Sequence, residues 1–237
     1  MMLWLVPLGV AAGVLTTVAG LGGGMMLQLS ISLLDSPAVA LASTAPALLL
    51  GNLHRASLFR EHVDGRVALA FAIGALPGSL CGGLLAAYLP ETVLRWAMLL
   101  MTAAAITRAL GWWSWTPPAG ALVPAGFLIG ALAATTGGAG MLAGPLLLAC
   151  GLRGDRYVAT GAMCSVSLHI GRLSAYGIAG LMHGRVLIFA AILAVTILCG
   201  NALGKRLRKR IGERGGMQLE LATMIVCVAL ALTGVAR

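Results

Sequence analysis

The sequence predicts an all-α polytopic membrane protein of two inverted repeats, each a Gly-rich broken or re-entrant helix hairpin plus three spanning helices. Three observations predict it. Hydrophobic residues make up 59% of the chain and charged residues 10%, with a mean hydropathy of +0.97, whereas roughly a quarter of a soluble domain is charged. The apolar runs are helix-length, rich in Leu, Ala, Val and Gly, and lack the alternation of a transmembrane barrel. Two of these runs are interrupted by glycine clusters without the polar composition of a surface turn: Gly20-Leu21-Gly22-Gly23-Gly24 within 3–34, and Gly137-Gly138-Ala139-Gly140 within 121–150.

Taken in order, Leu3 to Ala19 reads as a helix and Met25 to Leu34 as a short piece. At 1.5 Å per residue that piece reaches about half of a roughly 30 Å hydrocarbon core. Ser36 and Pro37 restart a helix as N-cap and first-turn residue, running to about Leu58. A loop from Arg60 to Arg66 leads to a span from Val67 to Leu89, loosened at Pro77-Gly78 and Gly82-Gly83. After Pro90-Glu91 comes a span ending near Leu110, with Trp112, Trp113 and Trp115 suited to an interface and Pro117-Pro118 closing the half. The second half repeats the plan: Ala121 to Thr136, the second break, Met141 to Cys150, a helix from Tyr157 to about Leu181, and a span beyond His183.

Internal echoes support a duplication into 1–118 and 119–237, together one membrane domain. Beside the two breaks, His183-Gly184-Arg185-Val186 echoes Asp64-Gly65-Arg66-Val67, and Leu198-Cys199-Gly200 echoes Leu80-Cys81-Gly82. If each glycine break is the tip of a hairpin, each half crosses an odd number of times, and Lys and Arg segregate more strongly to one side than if every run were a straight span. The positive-inside rule therefore favours inverted halves. The same reading places both termini outside and the loops at Arg60, Arg108, Arg153 and Lys205 in the cytoplasm. Much of the net charge of +9 falls in the stretch Gly204 to Gly216, expected to be a loop. It reads as a cytoplasmic topology signal and not as a nucleic-acid patch. The five cysteines show no metal or redox spacing and read as small core residues.

Broken backbone at membrane depth is tolerated where it is buried in protein or lines a cavity. A short helix starting there leaves its first N–H groups unpaired and carries partial positive charge at that end. Two such ends meeting would form an anion site. The expected substrate-binding groups are Gly22, Gly23, Gly24 and Met25 from the first break and Gly138, Gly140, Met141 and Leu142 from the second, with Arg172, Ser43 and Thr44 as side-chain partners. The glycines are open to a plainer reading as helix-packing contacts. His54 and His169 are candidate proton carriers, and Asn52, Ser165, Ser167 and Asn201 can donate to an anion or to neighbouring helices. Arg55, about a turn from the next loop, is expected to snorkel.

No carboxylate lies deep in any span, which argues against a buried cation site or a carboxylate proton relay. Nor is there a HExxH, GxSxG or Walker-type sequence. No enzyme activity, metal or cofactor is expected.

The glycine pattern resembles the sulfite exporter TauE/SafE family of membrane permeases, in which a signature of the form G-x-x-x-G-x-x-G-x-G-G-G recurs near the start of each half. The first copy runs from Gly13 to Gly24, followed by Pro37 and the pair Ser43-Thr44; Thr17 stands where the pattern often has glycine. The second, Gly130 to Met141 with Pro145 after it, has Ala139 and Met141 at glycine positions. The resemblance implies a bacterial inner-membrane carrier of small sulfur-containing anions (sulfite, sulfonates, sulfoacetate) or organic acids, working without ATP. The expectation is a secondary transporter that alternates access to a small anion, with protons as a candidate coupling ion. The rival is a non-transporting membrane assembly or receptor subunit, which would show packed glycines and no cavity between the halves.

Overall fold

The computed structural model describes residues 2–20, 22–109, 112, 118–138 and 142–235. Leu21, Leu110, Trp113, Trp115, Pro117, Ala139, Gly140 and Met141, singled out above, lie outside the described residues. The described chain is helical throughout, with no strand among the described residues. Its elements are α1 (Met2–Ala19), α2 (Gly23–Leu34), α3 (Pro37–Leu58), α4 (Gly65–Tyr88), α5 (Glu91–Ala109), α6 (Leu122–Thr136), α7 (Ala143–Ala149), α8 (Gly154–Ile178) and α9 (Gly184–Val235). The stretches Met2–Ala19, Gly65–Tyr88 and Gly184–Gly212 are long and apolar enough to cross a membrane. Three apolar stretches of that length are what a multi-pass membrane protein requires.

Local chemistry sets several of these boundaries. Ser36 Oγ accepts from the Val39 amide at 3.2 Å, with Pro37 opening α3. Asp64 caps α4 through the Arg66 and Val67 amides, both at 3.2 Å. At the first break Gly20 and Gly22 hold φ of 94° and 100°, and at the second Gly137 holds 76°. L-residues with a side chain are penalised there, so glycine is required. Gly23 packs against Ala12 and Thr16 of α1: a Cβ there would lie 2.9 Å from Thr16 Cγ2. The first break is thus a bend that brings α2 against α1, not a straight continuation.

Small residues let the long helices mesh. Gly13 of α1 and Gly200 of α9 face each other so closely that a Cβ on either would lie 2.9 Å from the other's Cα. On α4, Gly74, Gly78 and Gly82 receive the backbone of Val123, Phe127 and Ala131 of α6, while Gly126 and Gly130 of α6 receive Phe71 and Ala75. These are the close crossings that small residues four apart permit in lipid. The first stretch of α9 also packs on α3, α4 packs on α8, and α3 packs directly on α8.

Three expectations need correction. The basic stretch 204–216 is not a loop: α9 runs on through Lys205, Arg206, Arg208, Lys209 and Arg210, and its direction changes at Gly212, with φ 70° and ψ −174°. Lys and Arg are good helix formers and favour a helix C-terminal end, so their charge does not break it. Cys81 and Cys199 lie on the outer surface instead of in the core. Arg55 does not snorkel; it is 1% exposed, inside the bundle.

Candidate functional site

Both breaks open onto one cavity of about 60 Å³. It is lined by Thr16 and Gly20 of the α1 end, Gly22, Gly24 and Met25 of the α2 start, Asn52 and Arg55 of α3, Gly137 and Gly138 of the second break, and Ser165, His169 and Arg172 of α8, with Leu48, Ala133 and Leu168 as apolar wall. A volume of this size holds a few waters, each needing about 10–15 Å³ by the same measure. It suits a small ion, not a drug-sized ligand of roughly 300–1,000 Å³.

Each break is held by an arginine or by a group that an arginine holds. The end of α1 leaves carbonyls without intrahelical partners, and Arg55 supplies donors: Nη1 to the Thr16 carbonyl at 2.6 Å and the Gly20 carbonyl at 3.0 Å. Arg55 Nη2 donates to Asn52 Oδ1 at 2.7 Å, and Asn52 Nδ2 donates to the Leu48 carbonyl at 2.7 Å. Across the cavity Arg172, also 1% exposed, donates from Nη1 and Nη2 to Gln28 Oε1 at 3.0 and 2.7 Å. Gln28 Nε2 donates to the Gly137 carbonyl at 2.6 Å. The amide is oriented this way because a guanidinium offers only donors and a carbonyl only acceptors. The Thr44 hydroxyl, 2.7 Å from the Ala40 carbonyl, lies 3.0 Å from the same Gln28 oxygen. Arg172 Nη2 also donates to the Leu41 carbonyl at 3.3 Å, its Nη1 stands 3.4 Å from His169 Nδ1, and its guanidinium lies 5.7 Å from the centre of the Tyr176 ring.

The electrostatics are one-sided. Among the described residues neither Arg55 nor Arg172 meets a carboxylate, and no acid lines the cavity. Among the described residues, the Nε atoms of both are buried without a partner. Buried charges are costly unless compensated, and here, among the described residues, compensation comes from neutral groups: backbone and amide oxygens and, for Arg172, the His169 ring nitrogen and the Tyr176 ring. No side chain caps α2, whose N-terminal end at Gly22–Gly24 adds partial positive charge. The arrangement can accept a negative ion and repel a positive one.

Of the sequence-predicted residues, Gly22, Gly24, Met25, Asn52, Gly138, Ser165, His169 and Arg172 line the cavity. Gly23 is taken up by packing on α1. Ser43 is fully buried, its hydroxyl 2.7 Å from the Val39 carbonyl, and Thr44 reaches the site only through Gln28. Leu142 packs with the apolar cluster of α6, α7 and α8, and half-buried His54 is not a lining residue. Gln28 was missed. Its only signal is that it is the sole amide between Met25 and Leu34.

A second, larger concavity of about 900 Å³ lies at the basic end, with six cations, Arg60, Arg153, Arg156, Lys205, Arg208 and Lys209, against Glu61 and Asp155. Arg208 pairs with Asp155 at 3.0 Å and donates to the Val18 carbonyl at 2.6 Å. Tyr157, which packs with Phe59, stands beside Gly20 of the inner cavity, while Phe59 lines the outer concavity.

Residues 5–232 match the model of a family described as sulfite exporter TauE/SafE. Comparison with curated proteins and with solved structures returns no match. With a match over nearly the whole length, this chain belongs to the TauE/SafE family, a family of membrane transporters.

Proposed function

We propose that this protein is a secondary transporter of a small anion: a sulfur-containing one such as sulfite, a sulfonate or a sulfoacetate-like ion, or a small organic acid. The observation that carries the reading is the pair of buried arginines, without a carboxylate, on a cavity shared by both glycine breaks. Arg172 and Arg55 supply charge, while the backbone at Gly22, Gly24 and Gly138 supplies close approach and donors; Met25, whose amide donates to the Gly22 carbonyl at 3.1 Å, contributes wall. His169 is the cavity histidine placed to move a proton if protons are coupled to transport.

The mechanism in this reading is alternating access between two inverted halves, 1–118 and 119–237, in a bacterial inner membrane, with the basic stretch 204–216 of α9 cytoplasmic and both termini outside. The packing supports an exchange of equivalent helices: α1 meets α9 as α6 meets α4, and α3 meets α9 as α8 meets α4. The cavity favours transport over the assembly-subunit reading, which has no use for a cationic cavity between the two breaks. Uptake of radiolabelled sulfite into proteoliposomes tests the proposal, comparing wild type with Arg172→Met. Flux above protein-free liposomes that Arg172→Met removes is expected; equal flux in both proteins would defeat the site, and no flux of sulfite, methanesulfonate or acetate would defeat the function.

A further inference from the structure

We infer that Gln28 is the positioning residue of Arg172 and keeps the site selective for an incoming anion, an inference that rests on the anion-site reading above. Gln28 is 1% exposed and makes two demands that one side chain must meet together. Its oxygen accepts from both terminal nitrogens of Arg172, at 3.0 and 2.7 Å, and its nitrogen donates to the Gly137 carbonyl at 2.6 Å. A carboxylate would satisfy Arg172 but has no donor for Gly137. An apolar side chain would satisfy neither.

The neutrality of that oxygen matters most. A guanidinium presents five N–H donors in a planar fork, and an acceptor can grip one edge while another remains available. Gln28 occupies the Nη1/Nη2 end, and Nε is buried without a partner among the described residues. The grip fixes the plane of the fork without cancelling its charge. A glutamate at the same place would form a buried ion pair, a tethered copy of the anion the site is built to receive. The grip also crosses between the halves: Gln28 lies on α2 after the first break, the Gly137 carbonyl belongs to the second, and Arg172 belongs to α8. Movement of either break therefore moves the arginine.

The test uses the purified full chain in detergent, titrated with sulfite, methanesulfonate and acetate and read by calorimetry and by thermal unfolding. Gln28→Glu is expected to melt at or above the wild-type temperature while binding the preferred anion at least tenfold more weakly. Gln28→Met, which frees the fork, is expected to melt lower and also to lose at least tenfold. A merely structural Gln28 would let affinity follow stability, so a stable Gln28→Glu protein that has lost its anion separates the two roles. Folded Gln28→Glu with a Kd within threefold of wild type overturns the inference and leaves the anion site standing. Should Gln28→Glu not fold, an unchanged Kd in Gln28→Met overturns it equally. A wild type that binds none of the three anions overturns both readings.

Discussion

Replacing Arg55 with methionine separates what a buried charge does for binding from what it does for folding. The side chain donates to Thr16 O, Gly20 O and Asn52 Oδ1. After Arg55→Met the Thr16 carbonyl keeps the Gly20 amide at 3.0 Å, and Asn52 keeps its bond to Leu48. The Gly20 carbonyl and Asn52 Oδ1, which the Leu48 bond of Asn52 Nδ2 does not satisfy, are left to find new partners, at about 1–3 kcal/mol each if they find none. Against this stands the relief of a buried, unpaired cation, whose effective desolvation penalty is several kcal/mol. The two contributions oppose each other, so the melting temperature is expected to stay close to wild type or rise. Anion affinity has no such offset. A hydrogen bond from a charged donor is worth roughly 1.5–3 kcal/mol, which corresponds to a Kd about 10- to 150-fold weaker. Sulfite titration of the purified variant, beside its thermal unfolding curve, checks this. A Kd within threefold of wild type would refute the assignment of Arg55 to the site, and a collapse of stability without the added anion would show that its role is to cap α1.

Three further outcomes follow from the geometry. Gly22→Ala places a Cβ on backbone at φ 100°; a left-handed residue costs about 1–2 kcal/mol, expected as a lowered denaturation midpoint and reduced transport. Gly78→Leu drives a side chain into the Phe127 backbone of α6, where even a Cβ would lie 2.8 Å from the Phe127 Cα, whereas a Cβ at Gly177 would meet nothing within 4 Å; Gly78→Leu is expected to abolish the folded monodisperse protein and Gly177→Leu to leave it intact, checked by size-exclusion chromatography. The six cations of the outer concavity are expected to gather anions, so KM for uptake from that face rises as salt goes from about 0.01 to 1 M and the screening length falls from roughly 30 to 3 Å; a KM independent of salt refutes the steering role.

Much of the helical layout was legible because it depends on local chemistry. Ser36 before Pro37 announces the start of α3 through the free amides of a first turn, and the structure places the Ser36 bond there. The glycine breaks were visible because four glycines in five residues oppose helix formation wherever they fall. What local chemistry does not contain is the partner. Arg55 was misjudged because its distance to water was counted along its own helix, while its position is decided by α1, whose terminal carbonyls at Thr16 and Gly20 need donors at that depth. The basic stretch of α9 was misjudged for a related reason: charge density suggests exposure, and exposure was equated with a loop, although Lys and Arg are compatible with helix until Gly212 turns the chain.

The site divides along the same line. Glycines identify where backbone is bared, but not which of them faces the cavity: Gly22 and Gly24 do, and Gly23 between them is used for contact with Ala12 and Thr16. Gly23 and Gly24 are successive residues of α2, about 100° apart around a helix of 3.6 residues per turn, so they point to different surroundings, while Gly22 precedes the helix with φ 100°. Gln28 illustrates the converse. Set among Met25, Leu27, Leu29 and Ile31, it passes as one polar residue in an apolar helix. Its meaning comes from Gly137 and Arg172, more than a hundred residues away in sequence. An arginine buried without an acid is incomplete by itself, and the rule that buried polar groups find partners implies that something neutral must hold it. Applied to Arg172, that rule directs attention to the short helix beside the first break, where Gln28 is the only amide.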